Sequence, residues 1–335
     1  MTPAALKAEF LQNPKAFIGK YIIHIDAVLS QKKQFMQFPD GSPYLGNLTG
    51  QSDVVSGTAP TGWAKFSNFR PARTHDLINC GSPAVDLKLV PQTETDKIPF
   101  YVIPYQGNKG YGVKLPAGDE EAFVLTQKIN GCTLVVNGPH GSPCAAHANA
   151  FTVPHGRTRL EVMMDHVRAV EARFREILGD EYDEHSFVFE KLRHPGPRTS
   201  VEYTSRYIDS ATVHKNSGFS NYRFSKKVGH AKKIVKFSDV TLRNIQQQIS
   251  NDNAIIGHRD GGIWKFYFNS ATSLDFDIID QRKLGGLVLK SATENFTCSA
   301  ITAHGQMWPV EDITDVVLIP DAYANAPRYF KGAYT

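Results

Sequence analysis

Residues 130–150 read NGCTLVVNGPHGSPCAAHANA, and this stretch decides the fold predicted for the middle of the chain. An apolar run at 133–136 is followed by the turn-forming residues 137–143 and then by a second run of small and apolar residues. Two such runs joined by Asn, Gly and Pro indicate a strand, a turn and a returning strand. The hairpin would bring Cys132, at the head of the first strand, close to His147 on the second.

Nucleophilic catalysis by cysteine requires at least a thiol and a neighbouring base such as an imidazole. A free thiol is only a few per cent thiolate at neutral pH, so a neighbouring base has to take its proton. We therefore predict that Cys132 is the nucleophile and His147 the general acid/base. Gly131, which has no side chain, is expected to let the substrate approach an oxyanion-binding backbone N–H closely. Asn149 is the side-chain candidate for orienting His147.

The strand that follows Cys132 argues against a papain-type active site. Papain-like proteases place the cysteine at the start of a helix, where the helix dipole lowers its pKa. Residues 134–136 are Leu-Val-Val and lead directly into an Asn-Gly-Pro turn, which leaves no room for a helix. Cysteine chemistry in this chain should therefore be of another type.

Gly131-Cys132-Thr133 at the start of a strand, with His147 at this spacing, resembles the catalytic core of the cytotoxic necrotizing factor and dermonecrotic toxin deamidases. The likeness covers about twenty residues, 130–150, and the family often has Ser where this chain has Asn130. It implies a β-sandwich flanked by helices and the deamidation of a protein glutamine, with transglutamination in some members. It also implies that a backbone carbonyl from a neighbouring strand orients His147, and residues 99–105 are the expected source.

The resemblance carries further expectations about biology. It implies a bacterial toxin or virulence effector, a hydrolase that needs no metal or organic cofactor. The expected partner is a host protein with a target glutamine, such as a GTPase or another signalling or translation protein. We expect secretion by a non-classical route or delivery into the host cytoplasm, and otherwise a cytoplasmic protein, because residues 1–10 lack a basic segment followed by an apolar one.

Other interpretations of the same residues stay open at this point. Cys132 can be a small buried hydrophobe, as free cysteine usually is. Cys132, His140, Cys144 and His147 can form a structural zinc site, although a first gap of seven residues is long for such a site. A Cys132–Cys144 disulfide across the hairpin is a further alternative.

A third class of function is a non-catalytic binding or interaction protein. The segment 223–236 is rich in basic residues, and Lys226, Lys227, Lys232 and Lys233 would dock an acidic partner or a substrate. The net charge of +4 is too small to imply nucleic-acid binding. No stretch approaches the roughly 20 apolar residues of a membrane-spanning helix.

The rest of the chain predicts an α+β protein with a β-sandwich-like core of mostly antiparallel strands, formed as one catalytic domain over 1–335. A short helix is expected within 1–20 and a long one over 158–178, where Thr158 and Glu161 form a capping box. A β-meander is expected from strands at 100–103, 122–125, 132–136 and 145–153. The region 186–320 is expected to be rich in strands, with a weaker helix at 239–250.

Overall fold

The structure is a computed structural model of the chain. It describes residues 1–25, 35–37, 41, 59–68, 78–79, 83–105, 108–129, 132–150, 152–183, 187–190, 200–202, 223–228, 231–236, 242–243, 249–284, 287–309 and 317–318. Side chains are described in 1–25, 35–37, 41, 59–68, 83–105, 108–129, 132–150, 152–158, 161–183, 254–269 and 304–309.

Three α-helices lie within the described residues: α1 (Pro3–Gln12), α2 (Pro14–Lys20) and α3 (Arg159–Leu178), the last followed by a 3₁₀ turn at Gly179–Glu181. The predicted N-terminal helix is therefore two helices. They divide at Asn13, whose side chain accepts the backbone N–H of Ala16 at 2.9 Å and so begins a new helix at Pro14. Helix α3 has the predicted capping box at Thr158 and Glu161.

The described strands are numbered in chain order. They are β1 (Ile22–Ile25), β2 (Met36–Gln37), β3 (Thr61–Asn68), β4 (Ile78–Asn79), β5 (Ala84–Val90), β6 (Lys97–Ile103), β7 (Gly110–Lys114), β8 (Ala122–Thr126), β9 (Thr133–Asn137), β10 (Cys144–Ala148), β11 (Phe187–Glu190), β12 (Ser200–Glu202), β13 (Arg223–Val228), β14 (Ala231–Lys236), β15 (Leu242–Arg243), β16 (Ile249–Asp260), β17 (Ile263–Leu284), β18 (Leu287–Trp308) and β19 (Val317–Leu318).

These strands form two main sheets and a separate hairpin. The large sheet has the order β1-β5-β3-β6-β8-β16-β17-β18-β19, with β2, β4 and β15 paired beside that path. The small sheet has the order β12-β11-β9-β10-β7, and β13 pairs with β14 alone. Among the residues whose side chains are described, strands make up 44% and helices 25%, which confirms the predicted α+β class.

The predicted β-meander is wrong, because its four strands divide between the two sheets. Strands β6 and β8 are parallel neighbours in the large sheet, with Tyr101 opposite Val124, whereas β9 and β10 belong to the small sheet. Strand β7 lies between β6 and β8 in the chain and pairs with β10. The local sequence pattern gives the strands but not their partners, since pairing depends on contacts between distant residues.

The predicted helix at 239–250 is also wrong where the structure describes it. Leu242 and Arg243 form β15 and pair with Ile278 and Asp277 of β17. Strand β16 begins at Ile249 and pairs with β17 from its first residue. The segment has only a weak helical pattern, and its pairing with the long strand β17 makes it extended instead.

The small sheet lies between helix α3 and the large sheet. One face of the β9–β10 hairpin packs on α3, where Val135 and Ala146 share an apolar cluster with Phe174. The other face, which includes Leu134 and Ala145, joins the core formed by the large sheet. Within the described residues, no helix is both long and apolar enough to cross a membrane.

Candidate functional site

The register of the β9–β10 hairpin decides which side chains share a face. His147 lies opposite Leu134, and Ala148 lies opposite Thr133. Continuing this register by one residue places Cys132 opposite Asn149. Because side chains alternate between the two faces of a strand, Cys132 and His147 lie on the same face as diagonal neighbours, with Cα atoms roughly 7–8 Å apart.

This shared face points into the core between the two sheets. Cys132 is 5% exposed and belongs to the apolar cluster of the large sheet, and His147 is 0% exposed. The ring of Tyr105 packs edge-on against the imidazole of His147, with their centroids 5.0 Å apart. Of the predicted pair, only Cys132 therefore has a surface that solvent reaches.

The imidazole of His147 is anchored by Thr126, at the end of β8 in the large sheet. Its Nδ1 atom lies 2.8 Å from Thr126 Oγ1, and the same hydroxyl lies 3.3 Å from the carbonyl oxygen of Ile103. A hydroxyl has one proton, so when Thr126 donates to Ile103 it accepts from His147 Nδ1–H. This tautomer leaves Nε2 with a lone pair, as a general base requires.

Sequence reasoning did not identify Thr126. Ile103 does lie in the segment 99–105, from which an orienting carbonyl was expected, but this carbonyl reaches the imidazole through the Thr126 hydroxyl. The available signal was a hydroxyl residue directly after the apolar run 122–125, in a strand expected to be buried. Which side chain it meets depends on the docking of two sheets, which the local pattern does not encode.

Burial sets the protonation state of His147. It lowers the pKa of the imidazole from 6.5 to about 3, so the ring is neutral at physiological pH. Its Nε2 atom forms no hydrogen bond within the described part of the chain. The imidazole is thus neutral and held through Nδ1, and its Nε2 atom makes no hydrogen bond to the Cys132 sulfur.

Asn149 does not orient His147. The imidazole bonds to Thr126 through Nδ1 and to no described group through Nε2. Instead, Asn149 holds the residues just before β7, since its Oδ1 accepts the backbone N–H of Asn108 at 2.8 Å. The expectation for Asn149 was wrong because Thr126 occupies the only bonded position on the ring.

The four residues of the zinc alternative do not converge. Cys144 lies on the opposite face of β10, in the cluster of helix α3, and His140 is exposed in the turn with its ring 5.0 Å from that of Trp308. Among the described residues, no three His, Cys, Asp or Glu side chains are placed to hold a metal ion. Neither Cys132 nor Cys144 forms a disulfide, and burial raises the pKa of Cys144 to about 12.

Two other predicted features fall partly or wholly outside the described residues. Gly131, the expected approach and oxyanion residue, is not among them. For the basic segment the structure describes the backbone, in which Lys226 pairs with Lys233 and Lys227 with Lys232 across the β13–β14 hairpin. The side chains of these four lysines lie outside the described part, so the docking role stays a prediction.

A cavity of about 370 Å³ lies away from the hairpin, where β6 and β8 begin. Its lining includes apolar side chains, three cations and two carboxylates: Ile98, Phe100, Phe123, Lys7, Lys97, Arg259, Glu120 and Glu121. Arg259 is 5% exposed and donates to the carbonyl oxygens of Glu120 and Pro116 at 2.9 and 2.7 Å. Among the described residues, none of the three cations forms an ion pair with a carboxylate.

A comparison of the chain with protein-family models finds no match, and a comparison with curated protein sequences finds none either.

Proposed function

We propose that this protein is a cysteine-dependent amidohydrolase that deamidates a glutamine side chain of a protein substrate. One observation carries the proposal: Cys132 and His147 share a face of the hairpin, and Thr126 Oγ1 holds His147 Nδ1 at 2.8 Å while Nε2 stays without a hydrogen bond within the described residues. The class of substrate comes from the resemblance of residues 130–150 to the toxin deamidases.

The reaction proceeds in two steps on this geometry. Cys132 gives its proton to His147 Nε2 and attacks the carboxamide carbon, and the carbonyl electrons move onto oxygen. The C–N bond then breaks, ammonia leaves with the proton from His147, and a thioester remains. Water attacks the thioester with His147 as the base, which releases glutamate and returns the proton to Cys132.

Burial shapes this chemistry in two ways. A neutral imidazole with a pKa of about 3 is a weak base towards a resting thiol, so proton transfer is coupled to the attack and no thiolate accumulates beforehand. The substrate also has to approach from the Cys132 side, since His147 has no exposed surface. A glutamine side chain, long and unbranched, suits such a narrow approach.

The test uses eukaryotic cytosolic extract as the source of substrates. Wild-type protein should release ammonia from it and convert particular glutamines to glutamates, as detected by peptide mass spectrometry. Cys132→Ser and His147→Ala should each abolish both signals. Cys144→Ser is the matched control, because it changes a thiol on the opposite face and should keep the activity. If Cys132→Ser retains wild-type ammonia release, the assignment fails.

The same extract tests the wider expectations. Incorporation of an added primary amine into the same glutamines would identify transglutamination as a second activity. A GTPase or another signalling or translation protein is the expected substrate, as a bacterial toxin or effector acting in a host cytoplasm would require. Modified glutamines that appear in a bacterial lysate treated in parallel, and not in the eukaryotic extract, would contradict that assignment.

A second candidate function is a non-catalytic binding protein, and the 370 Å³ cavity favours it. The cavity combines apolar walls with Arg259, whose buried guanidinium has no carboxylate partner among the described residues. A ligand with an apolar body and a carboxylate or phosphate group would suit this lining. Binding of such compounds that persists in Cys132→Ser and is lost in Lys7→Gln, in a protein that releases no ammonia, would favour this function.

A further inference from the structure

The side chain of Asn149 is fixed in one orientation. Its Oδ1 atom accepts the backbone N–H of Asn108 at 2.8 Å, and because an N–H can only donate, the atom facing it must be oxygen. The backbone on either side is held as well, since Asn149 N–H donates to the carbonyl of Lys109 at 3.1 Å and the Asn149 carbonyl lies 2.8 Å from His166 Nδ1. The position of Nδ2 is therefore determined by three contacts.

Nδ2 itself has no hydrogen-bond partner within the described part of the chain, although Asn149 is 0% exposed. A buried donor without an acceptor destabilises the folded state, because it has lost its hydrogen bonds to water. Such groups are rare in folded proteins, and each needs an explanation, of which a catalytic role is one. The hydrogen bond to Asn108 uses only Oδ1 and does not explain why this residue carries an amide nitrogen. An aspartate at this position would accept the same hydrogen bond equally well.

The hairpin register places this donor beside the nucleophile. Ala148 and Ala150 face helix α3, so Asn149 faces the other way, together with His147. Continued by one residue beyond Thr133 and Ala148, the register sets Cys132 opposite Asn149, and directly opposite residues have Cβ atoms about 4.5–5.5 Å apart. His147 Nε2, which also has no hydrogen-bond partner among the described residues, belongs to the same face. A nucleophile, a base and a donor thus occupy adjacent positions.

We propose that Asn149 Nδ2 donates a hydrogen bond to the oxygen of the carboxamide that Cys132 attacks; this inference rests on the proposed function. When the bond between Sγ and the carbonyl carbon forms, the carbonyl electrons move onto oxygen, and the Nδ2–H bond to that oxygen strengthens. Removing one such donor from an enzyme typically lowers kcat about 10²–10³-fold. Asn149 is then a catalytic residue that contacts the reacting group.

The test compares two reagents that modify Cys132. Iodoacetamide carries a carboxamide, whereas methyl methanethiolsulfonate carries no carbonyl group. A hydrogen bond contributes about 0.5–1.5 kcal/mol, so loss of Nδ2 should slow modification by iodoacetamide roughly three- to tenfold. Modification by methanethiolsulfonate should keep its rate. Peptide mass spectrometry measures both rates at Cys132.

Two variants and one control make the comparison decisive. Asn149→Asp keeps the acceptor for Asn108 but removes the donor, and Asn149→Ala removes both without adding a charge. Thr152→Val breaks the bond from Asn108 Nδ2 to Thr152 Oγ1 at 3.0 Å and perturbs the same loop away from Nδ2, so it should change neither rate. The ratio of the two rates cancels a general change in thiol reactivity.

Each outcome decides the proposal. A fall of the iodoacetamide rate alone, in either Asn149 variant that folds, supports it. Equal falls for both reagents would assign Asn149 a structural role only and overturn it, as would unchanged rates or a wild-type Cys132 that reacts with neither reagent. The proposed function is judged separately by ammonia release, so a protein that releases none and still shows the rate difference would lose that function while keeping a carboxamide site.

Discussion

The buried imidazole of His147 should make the protein sensitive to acid. Its pKa is about 3 in the folded state and 6.5 when unperturbed, so between these values the unfolded chain binds a proton that the folded chain does not. A lowered pKa in a base stabilises the fold above pH 6.5 and costs stability as the pH falls towards 3. At pH 5 the loss amounts to about 2 kcal/mol, against almost none at pH 7.5.

His147→Asn isolates this contribution. Asparagine is uncharged at every pH and keeps a polar atom near Thr126, so the variant should be less stable at pH 7.5 but lose about 2 kcal/mol less than wild type on going to pH 5. Urea unfolding followed by tryptophan fluorescence at both pH values gives the two free energies of unfolding. His304, whose pKa is also lowered by burial, is present in both proteins and cancels. An equal loss in wild type and variant would refute the reasoning.

Two further predictions concern stability. Burial raises the pKa of Cys144 from 9.0 to about 12, so the thiol ionises in the unfolded chain before it ionises in the folded one. The free energy of unfolding should therefore fall by about 2 to 3 kcal/mol between pH 9 and pH 11. Urea unfolding should show that Cys144→Ala removes this alkaline loss, and an unchanged loss would contradict the prediction. Gly257→Ala would place a Cβ atom 2.3 Å from Val124 Cγ1 and should destabilise the protein by about 1–3 kcal/mol. Gly141→Ala, whose nearest neighbour would be the Gly262 carbonyl oxygen at 3.4 Å, should be close to neutral in the same thermal and urea unfolding measurements, and comparable losses would count against the packing argument.

Local signals predicted the parts of the fold that local interactions determine. Helix α3 has a capping box at its first residues and an apolar stripe along its length, and both can be read within one window of sequence. The β9–β10 hairpin likewise follows from two apolar runs and the turn between them, and its register brings Cys132 and His147 to one face.

Contacts between distant residues could not be read in this way. Thr126 bonds to His147 because β8 and β10 belong to different sheets that pack together. Tyr101 lies opposite Val124 because β6 and β8 pair directly, although β7 lies between them in the chain. Asn149 was assigned to the wrong partner for the same reason. A polar residue near a histidine in sequence suggests a contact between them, but the hydroxyl of Thr126, from the other sheet, bonds to the ring instead.

The bond between Thr126 and His147 joins the two sheets and so couples access to orientation. An excursion that separated the sheets would uncover Cys132 to solvent, but it would also release His147 from the hydroxyl that holds its Nδ1 atom. The exposed thiol would then lack an aligned base. Transient opening therefore yields a cysteine open to alkylation or oxidation without turnover, while productive encounters with substrate belong to the fully docked state.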